Sequence, residues 1–162
     1  MPTTETPLQS VLDRLLDDNP GVSTDVELFP ADALRRAHDS VRRDLNTLLN
    51  TRQRVAAYPA AMKRELDQSL VNYGLPDFTG GQLGSATSRE NFLHVVEKVL
   101  ERYEPRLKSV RVTMLGNAEP LDRTLRFRID AVLQLGTVAE PVTFDSKLEP
   151  TTGIVEVTPS DA

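Results

Sequence analysis

Few side chains in this sequence have the type and spacing that chemistry requires. Cysteine is absent, which excludes disulfides, thiolate metal ligands and a cysteine nucleophile. The available histidine bases are His38 and His94, and neither stands in a spacing such as H-E-x-x-H that would hold a transition metal. His38 falls on the apolar stripe of a predicted helix, whereas His94 falls on a solvated side. No catalytic residue, metal or cofactor is therefore predicted.

Acidic residues occur together on one predicted helix, and hydrolysis of a glycan would need two carboxylates flanking the bond. Glu97 and Glu101 stand one helical turn apart. They alternate with Lys98 and Arg102 opposite the apolar stripe, which is typical of a solvated face with i,i+4 charge neighbours. Hydrolysis of a glycan is therefore an alternative function and not the leading one.

One tripeptide combines opposite charges with a restrained backbone. Glu104, Pro105 and Arg106 follow a predicted helix and precede a predicted strand. The proline ring fixes φ, so the two charges keep a narrow range of relative positions. They form either an internal ion pair that stabilises the junction or a bidentate-capable polar group offered to another subunit. The residues alone favour the internal pair.

Six arginines lie between Arg35 and Arg54. An exposed helix face and a docking surface for an acidic protein explain them about equally well, since arginine is favoured at interfaces. Nucleic acid is not expected as a partner, because the net charge is −5 and no aromatic residues are interleaved to stack bases.

Length and composition indicate one cytoplasmic domain. The chain of 162 residues can build one genuine core, so residues 1–162 are predicted to form a single domain. No stretch approaches the roughly 18 consecutive apolar residues of a membrane span, and the first residues lack the pattern of a secretory signal. Direct membrane insertion is not expected, and a chain without cysteine suits a reducing cytoplasm.

Helical periodicity dominates the first two thirds of the sequence. A short amphipathic helix begins at Thr6-Pro7, and residues 1–20 are a candidate partner-docking extension. Longer helices are predicted over residues 32–50 and 60–72, the second ended by Gly74 in a left-handed conformation. A glycine-rich loop over residues 79–88 leads to a capping box that starts at Thr87 and opens a fourth helix.

The period of the apolar residues then changes from 3.6 to 2. Strands are predicted at Val110–Met114, Leu125–Leu135, Val142–Phe144 (with Leu148 as an alternative end) and Ile154–Val157. Helices first and strands last predict an α+β fold. About four N-terminal helices would pack on one face of a C-terminal antiparallel sheet of three to four strands.

Six blocks of sequence occur in an order that a known family shares: Ser10–Asp18, Asp44–Arg52, Leu70–Phe78, Tyr103–Leu107, Leu125–Ile129 and Val142–Asp145. These blocks are spread from residue 10 to residue 145 and together resemble TssE, a baseplate subunit of the type VI secretion system. TssE is similar to a wedge protein of contractile phage baseplates, in a family that carries the label lysozyme-like. That label, together with the acidic helix, makes a peptidoglycan hydrolase the alternative function. The resemblance implies a structural protein without catalysis, at the cytoplasmic side of an envelope-spanning apparatus.

The resemblance also implies partners and an assembly motif. A TssE-like subunit binds the wedge subunits TssF and TssG, with TssK as a further candidate, and helps the sheath proteins TssB and TssC to begin polymerising. Glu104, Pro105 and Arg106 match the family's Glu-Pro-Arg motif, which serves assembly. With the resemblance, the partner-binding interpretation of the tripeptide becomes the favoured one. A generic cytoplasmic adaptor is the other alternative.

Strand addition offers a physical mechanism for the sheath contact. The last two predicted strands are short, so at least one is expected to be a sheet edge with unpaired backbone groups. An extended segment of a sheath subunit would add to that edge. Ile154, Val155 and Val157 are the expected exposed, partner-binding residues. An edge strand that only closes the core explains these three residues equally well.

Overall fold

The fold places its helices first and a four-stranded sheet last. The computed structural model describes residues 11–15, 21, 29–54, 59–62, 65–66, 69–78, 83–116 and 124–160. The helices are α1 (Val11–Leu15), α2 (Pro30–Asn50) and α3 (Ala86–Tyr103), and two 3₁₀ turns span Ala60–Met62 and Leu70–Asn72. The strands are β1 (Leu107–Leu115), β2 (Leu125–Leu135), β3 (Val138–Leu148) and β4 (Val155–Pro159). Among these residues, no helix has the length and apolar character that crossing a membrane would need.

The sheet is an antiparallel meander with the order β1-β2-β3-β4. Along β2, every second residue from Leu125 to Leu135 is buried, and the residues between them are half-buried or exposed. This alternation is what period-2 hydrophobicity predicts for a strand with one covered face. The α+β class and the antiparallel sheet of four strands are confirmed.

Helices α2 and α3 supply the other half of the core. Phe92 of α3 is fully buried, and its ring meets Phe127 of β2 and Phe78 edge-on, with centroids 5.6 and 5.0 Å apart. Leu45 and Leu49 of α2 are equally inaccessible. The apolar stripes of both helices therefore pack on the same face of the sheet, as the sequence pattern predicts.

The expectation of about four packed helices is wrong, because the described residues form two long helices. Within the predicted helix over residues 60–72, the described residues comprise two 3₁₀ turns, the helical residues Glu65 and Leu66, and Ser69, which makes local hydrogen bonds. The Ser69 hydroxyl and the Asn72 amide both donate to the Leu66 carbonyl, at 2.8 and 2.9 Å. Serine and asparagine compete with helical bonding in this way. Met62 and Leu70, two residues of the predicted apolar stripe, are exposed.

Three boundaries refine the predicted elements. The cap of α3 is Ser85, whose hydroxyl accepts the Ser88 N–H at 3.1 Å, so the helix begins before the predicted capping box at Thr87. Gly74 has the predicted positive φ, at 103°, although it follows a 3₁₀ turn. Most of the predicted N-terminal helix lies outside the described residues, which include Val11–Leu15.

Candidate functional site

A groove of about 410 Å³ opens where α2, the end of α3 and the start of β1 meet. It combines ring faces, a proline, threonine and leucine side chains, and three charged groups. Its lining residues are Leu12, Asp44, Thr47, Leu48, Tyr73, Tyr103, Glu104, Pro105 and Arg106. The Glu-Pro-Arg tripeptide therefore forms part of the wall of a concave surface.

Arg106 is held by side chains from two different elements. Its Nε and Nη2 atoms donate to the two carboxylate oxygens of Glu104, at 2.6 and 2.7 Å. Nη2 also donates to Asp44 of α2 at 2.5 Å, and Nη1 donates to the Ser40 hydroxyl at 3.2 Å. We call these four residues the Arg106 cluster. The cluster ties the α3–β1 junction to α2.

A tight turn brings Glu104 and Arg106 side by side. The Glu104 N–H donates to the Leu100 carbonyl and completes α3, and the Leu107 N–H donates to the Glu104 carbonyl at 3.1 Å and begins β1. Pro105 lies between them, and its fixed φ suits a chain that must leave the helix within one residue. The internal ion pair that the residues alone favour is therefore present.

Burial strengthens the charge pairing in this cluster. The Glu104 side chain is 6% exposed and the Arg106 side chain 21%. Hydrogen bonding to Glu104, and then to Asp44, raises the pKa of the Arg106 guanidinium, so this group stays charged at any working pH. Burial, together with the negative charges of Asp44 and Glu104, raises the pKa of Tyr73.

The groove is suited to recognition. The Arg106 guanidinium is not deprotonated at neutral pH and so cannot act as a general acid or base, and the Glu104 carboxylate is occupied by the bidentate contact. The other candidate carboxylate, Glu97, accepts the Val112 N–H at 2.8 Å and lies 3.2 Å from His94. In the described part of the chain, no group of three or more acidic or histidine residues could hold a metal ion.

The candidate residues at β4 divide into two kinds. Ile154 is 58% exposed, as expected, but Val155 and Val157 are each 1% exposed. The expectation that all three are exposed is therefore wrong. The period-2 alternation of β4 turns both valines to the core, and Ile154 precedes the strand. Of these three residues, Ile154 therefore offers its side chain to solvent, and the two valines do not.

The outer edge of β4 is closed by two asparagines of α2. The Asn50 amide donates to the Val155 carbonyl at 2.7 Å and accepts the Val155 N–H at 2.9 Å. Asn46 makes the same two bonds with Val157, at 3.4 and 3.1 Å. We call these two residues the amide caps. Four residues of helix rise about 6 Å, close to the rise of about 6.6 Å for two residues of strand, so the spacings match.

Sequence reasoning missed both the α2 half of the Arg106 cluster and the amide caps. Ser40 and Asp44 are spaced i,i+4 beside the core stripe of α2, as are Asn46 and Asn50. Polar pairs at that spacing next to a buried face are the signal that could have found them.

Some of the arginines between Arg35 and Arg54 form ion pairs with neighbouring aspartates, and His38 lies near a glutamate. Arg35 pairs with Asp32 at 3.0 Å, and Arg42 pairs with Asp39 at 3.5 Å. His38 is half-buried, with its Nε2 atom 4.0 Å from Glu140. These local pairs agree with a solvated helix face, and a docking role for the arginines stays a prediction.

A match to one protein-family model decides the family of this chain. The model described as baseplate wedge protein gp25 matches residues 35–137 of the chain. The chain belongs to this baseplate wedge family. The matched region contains most of α2, all of α3, β1 and β2, and the Glu-Pro-Arg tripeptide, and it ends before β3.

The chain is also similar to a chain of known structure. A chain in a structure titled "The baseplate complex from the type VI secretion system" is 22% identical in sequence, with a TM-score of 0.48. The alignment covers 71% of this chain and 96% of that chain. No curated protein matches in sequence.

Proposed function

We propose that the chain is a structural baseplate subunit of a type VI secretion system and acts by assembly, without catalysis. The observation that carries this proposal is the wedge-family match over residues 35–137, which include the Arg106 cluster. The six blocks that resemble TssE favour a type VI secretion system within that family. A position on the cytoplasmic side of the envelope follows from this role, and a chain without cysteine suits it.

The groove is the proposed binding site for the wedge subunits TssF and TssG, with TssK as a further candidate. Its wall offers the rings of Tyr73 and Tyr103, the exposed Pro105 and the partly exposed carboxylate of Asp44. A partner helix with apolar side chains and a basic residue would complement this surface. The Arg106 cluster supports the proposal because it fixes the wall before the partner arrives, which reduces the entropy lost on binding.

The sheath proteins TssB and TssC are the second proposed set of partners, whose polymerisation the subunit helps to start. Val155 and Val157 are buried, so Ile154 is the member of that trio whose side chain a sheath subunit could reach. The amide caps also occupy the outward backbone groups of both valines. The sheath contact is therefore proposed elsewhere than along the edge of β4.

Two threonine variants test the groove. Thr47 lines the groove, is exposed and donates its hydroxyl to the Arg43 carbonyl. Thr158 is exposed on the sheet's uncovered face and makes a matched bond to the Asp145 carbonyl. Thr47→Arg should fill the groove and abolish co-purification of TssF and TssG, while Thr158→Arg should keep it.

Both variants should unfold at the temperature of the unmodified protein, since neither side chain is in the core. Circular dichroism on the purified proteins checks this before the pull-down. Undiminished recovery of TssF and TssG with folded Thr47→Arg would overturn the assignment of the groove.

A further inference from the structure

The short helix α1 presents apolar side chains to solvent. Val11 and Leu15 are 74% and 75% exposed, and Leu12 is 54% exposed. Leu12 is also one of the residues that line the groove between α2 and the α3–β1 junction. α1 therefore lies beside the groove and contributes one side chain to its wall.

The groove offers α1 an apolar surface that is already in place. Tyr73 and Tyr103 line it with their rings edge-on, at a centroid distance of 5.2 Å. The Tyr103 hydroxyl donates to the Ser69 carbonyl at 3.0 Å, which fixes the position of this ring. Leu48 of α2 also lines the groove and is 3% exposed. A leucine side chain placed against these groups is removed from water, which favours the contact.

Leu12 fills only part of this space. The groove has a volume of about 410 Å³, which lies in the range of sites that hold a larger ligand. More than half of the Leu12 surface remains exposed, and Val11 and Leu15 do not line the groove. The contact between α1 and the groove is therefore present but weak, as expected for an occupant that another helix can replace.

We propose that α1 occupies the groove of its own chain before assembly, and that a helix of the wedge partner displaces it. Residues 16–29 join α1 to α2, so the effective concentration of α1 at the groove is on the order of millimolar. A contact that is weak between separate molecules is therefore populated within one chain. Displacement follows because Leu12 and a partner side chain cannot lie in the same part of the groove. The identity of the partner as TssF or TssG rests on the proposed function, whereas the contact of α1 with the groove does not.

Occupation by α1 makes the groove selective. A site that is free for only a fraction of the time binds with an apparent affinity reduced by that fraction. Less than half of the Leu12 surface is covered, which corresponds to about a fivefold change in a binding constant. Weak apolar competitors are therefore kept from the rings of Tyr73 and Tyr103, while a partner that also reaches the Asp44 carboxylate still binds.

The experiment uses the full chain, labelled with ¹⁵N, and a synthetic peptide with the sequence of residues 6–20. Leu12→Asp should release α1, so the NMR signals of the Tyr73 and Tyr103 amides should shift. Leu15→Asp is the matched control, because it places the same charge on α1 at a leucine outside the groove wall, and these signals should keep their positions. Adding the peptide to Leu12→Asp should return both signals towards their positions in the unmodified chain. Half-saturation should need about fivefold less peptide than for the unmodified chain, whose own helix competes.

Variants of the groove make the test specific. Combined with Leu12→Asp, Thr47→Arg should fill the groove and prevent the peptide from restoring the signals, while Thr158→Arg should leave the restoration unchanged. Leu12→Asp should also raise the recovery of TssF and TssG in the co-purification, because the partner then has no competitor. Circular dichroism should give both single variants of α1 the melting temperature of the unmodified chain, since Leu12 and Leu15 are exposed.

Unchanged Tyr73 and Tyr103 signals in Leu12→Asp, or equal shifts in Leu15→Asp, would overturn the inference. So would a peptide that does not restore the signals, or that restores them despite Thr47→Arg. Lower recovery of TssF and TssG with Leu12→Asp would make α1 part of the partner's site and would overturn its displacement. A dimer of the chain that Leu12→Asp abolishes would place α1 in the groove of a second copy, and would overturn the contact within one chain. Failure here leaves the loss of TssF and TssG with Thr47→Arg intact, so it is distinguishable from failure of the proposed function.

Discussion

Replacing Arg106 by methionine should destabilise the fold through the carboxylate that it leaves behind. Glu104 is almost inaccessible and depends on two contacts to Arg106, at 2.6 and 2.7 Å. Removing one partner of a fully buried ion pair costs about 3–5 kcal/mol. Arg106 and Asp44 keep 21% and 33% of their side-chain surface, so water reaches the cluster. We expect Arg106→Met to cost about 2–3 kcal/mol in the free energy of unfolding.

A double-mutant cycle separates this penalty from lost packing. Glu104→Gln should cost about 1 kcal/mol, because Arg106 retains its contacts to Asp44 and Ser40. The double variant should be more stable than the sum of the two losses predicts, by about 1–2 kcal/mol, since the buried carboxylate of Glu104 is then gone.

Urea unfolding followed by far-UV circular dichroism measures all four proteins. A loss below about 1 kcal/mol for Arg106→Met, or losses that add without coupling, would refute the reasoning. Because Arg106→Ala would lower stability in the same way, it is a poor probe of partner binding, and Thr47→Arg is the cleaner variant.

Three further changes test other contacts. Asn50→Ala should lower the free energy of unfolding by about 1–2 kcal/mol in urea unfolding, because two backbone groups of β4 lose their partners; equal stability would contradict the amide cap. Hydrogen bonding from Arg128 lowers the pKa of Asp145 below its usual value, so this contact stabilises the fold above about pH 4 and is lost as the pH falls through the lowered pKa. The melting temperatures of the unmodified chain and of Asp145→Asn should therefore converge as the pH falls from about 5 to about 2.5, the range in which carboxyl groups titrate. A difference in melting temperature that stays constant over this range would contradict the contact. Gly74→Ala should cost about 2 kcal/mol or more in urea unfolding, because φ is 103° and the new Cβ would lie 2.3 Å from the Thr51 carbonyl oxygen; a loss below about 0.5 kcal/mol would contradict the strain.

Periodicity predicted the parts of the fold that depend on one long buried face. Helices α2 and α3 and strand β2 each present an uninterrupted apolar stripe, and the sequence places all three correctly. The helix predicted over residues 60–72 does not continue through its last residues, because side-chain bonds from Ser69 and Asn72 compete locally with helical bonding. The spacing of the apolar residues gives no sign of that competition.

Only the part of the candidate site formed by residues close together in the sequence could be predicted. Glu104 and Arg106 are two residues apart, so their pairing could be anticipated from the fixed backbone between them. Asp44 joins them from 62 residues away, and such a contact depends on how α2 crosses the α3–β1 junction. The burial of Val155 and the cap by Asn50 likewise depend on tertiary packing, which a single strand pattern does not specify.

Imaging of the sheath in living cells tests the central claim most directly. Cells that carry this secretion system and a fluorescent TssB would be compared with and without the gene for this chain. A baseplate subunit needed to begin sheath polymerisation predicts that extended sheaths disappear with the gene and return when the unmodified chain is supplied. Sheaths of normal number and length in cells lacking the chain would contradict the account.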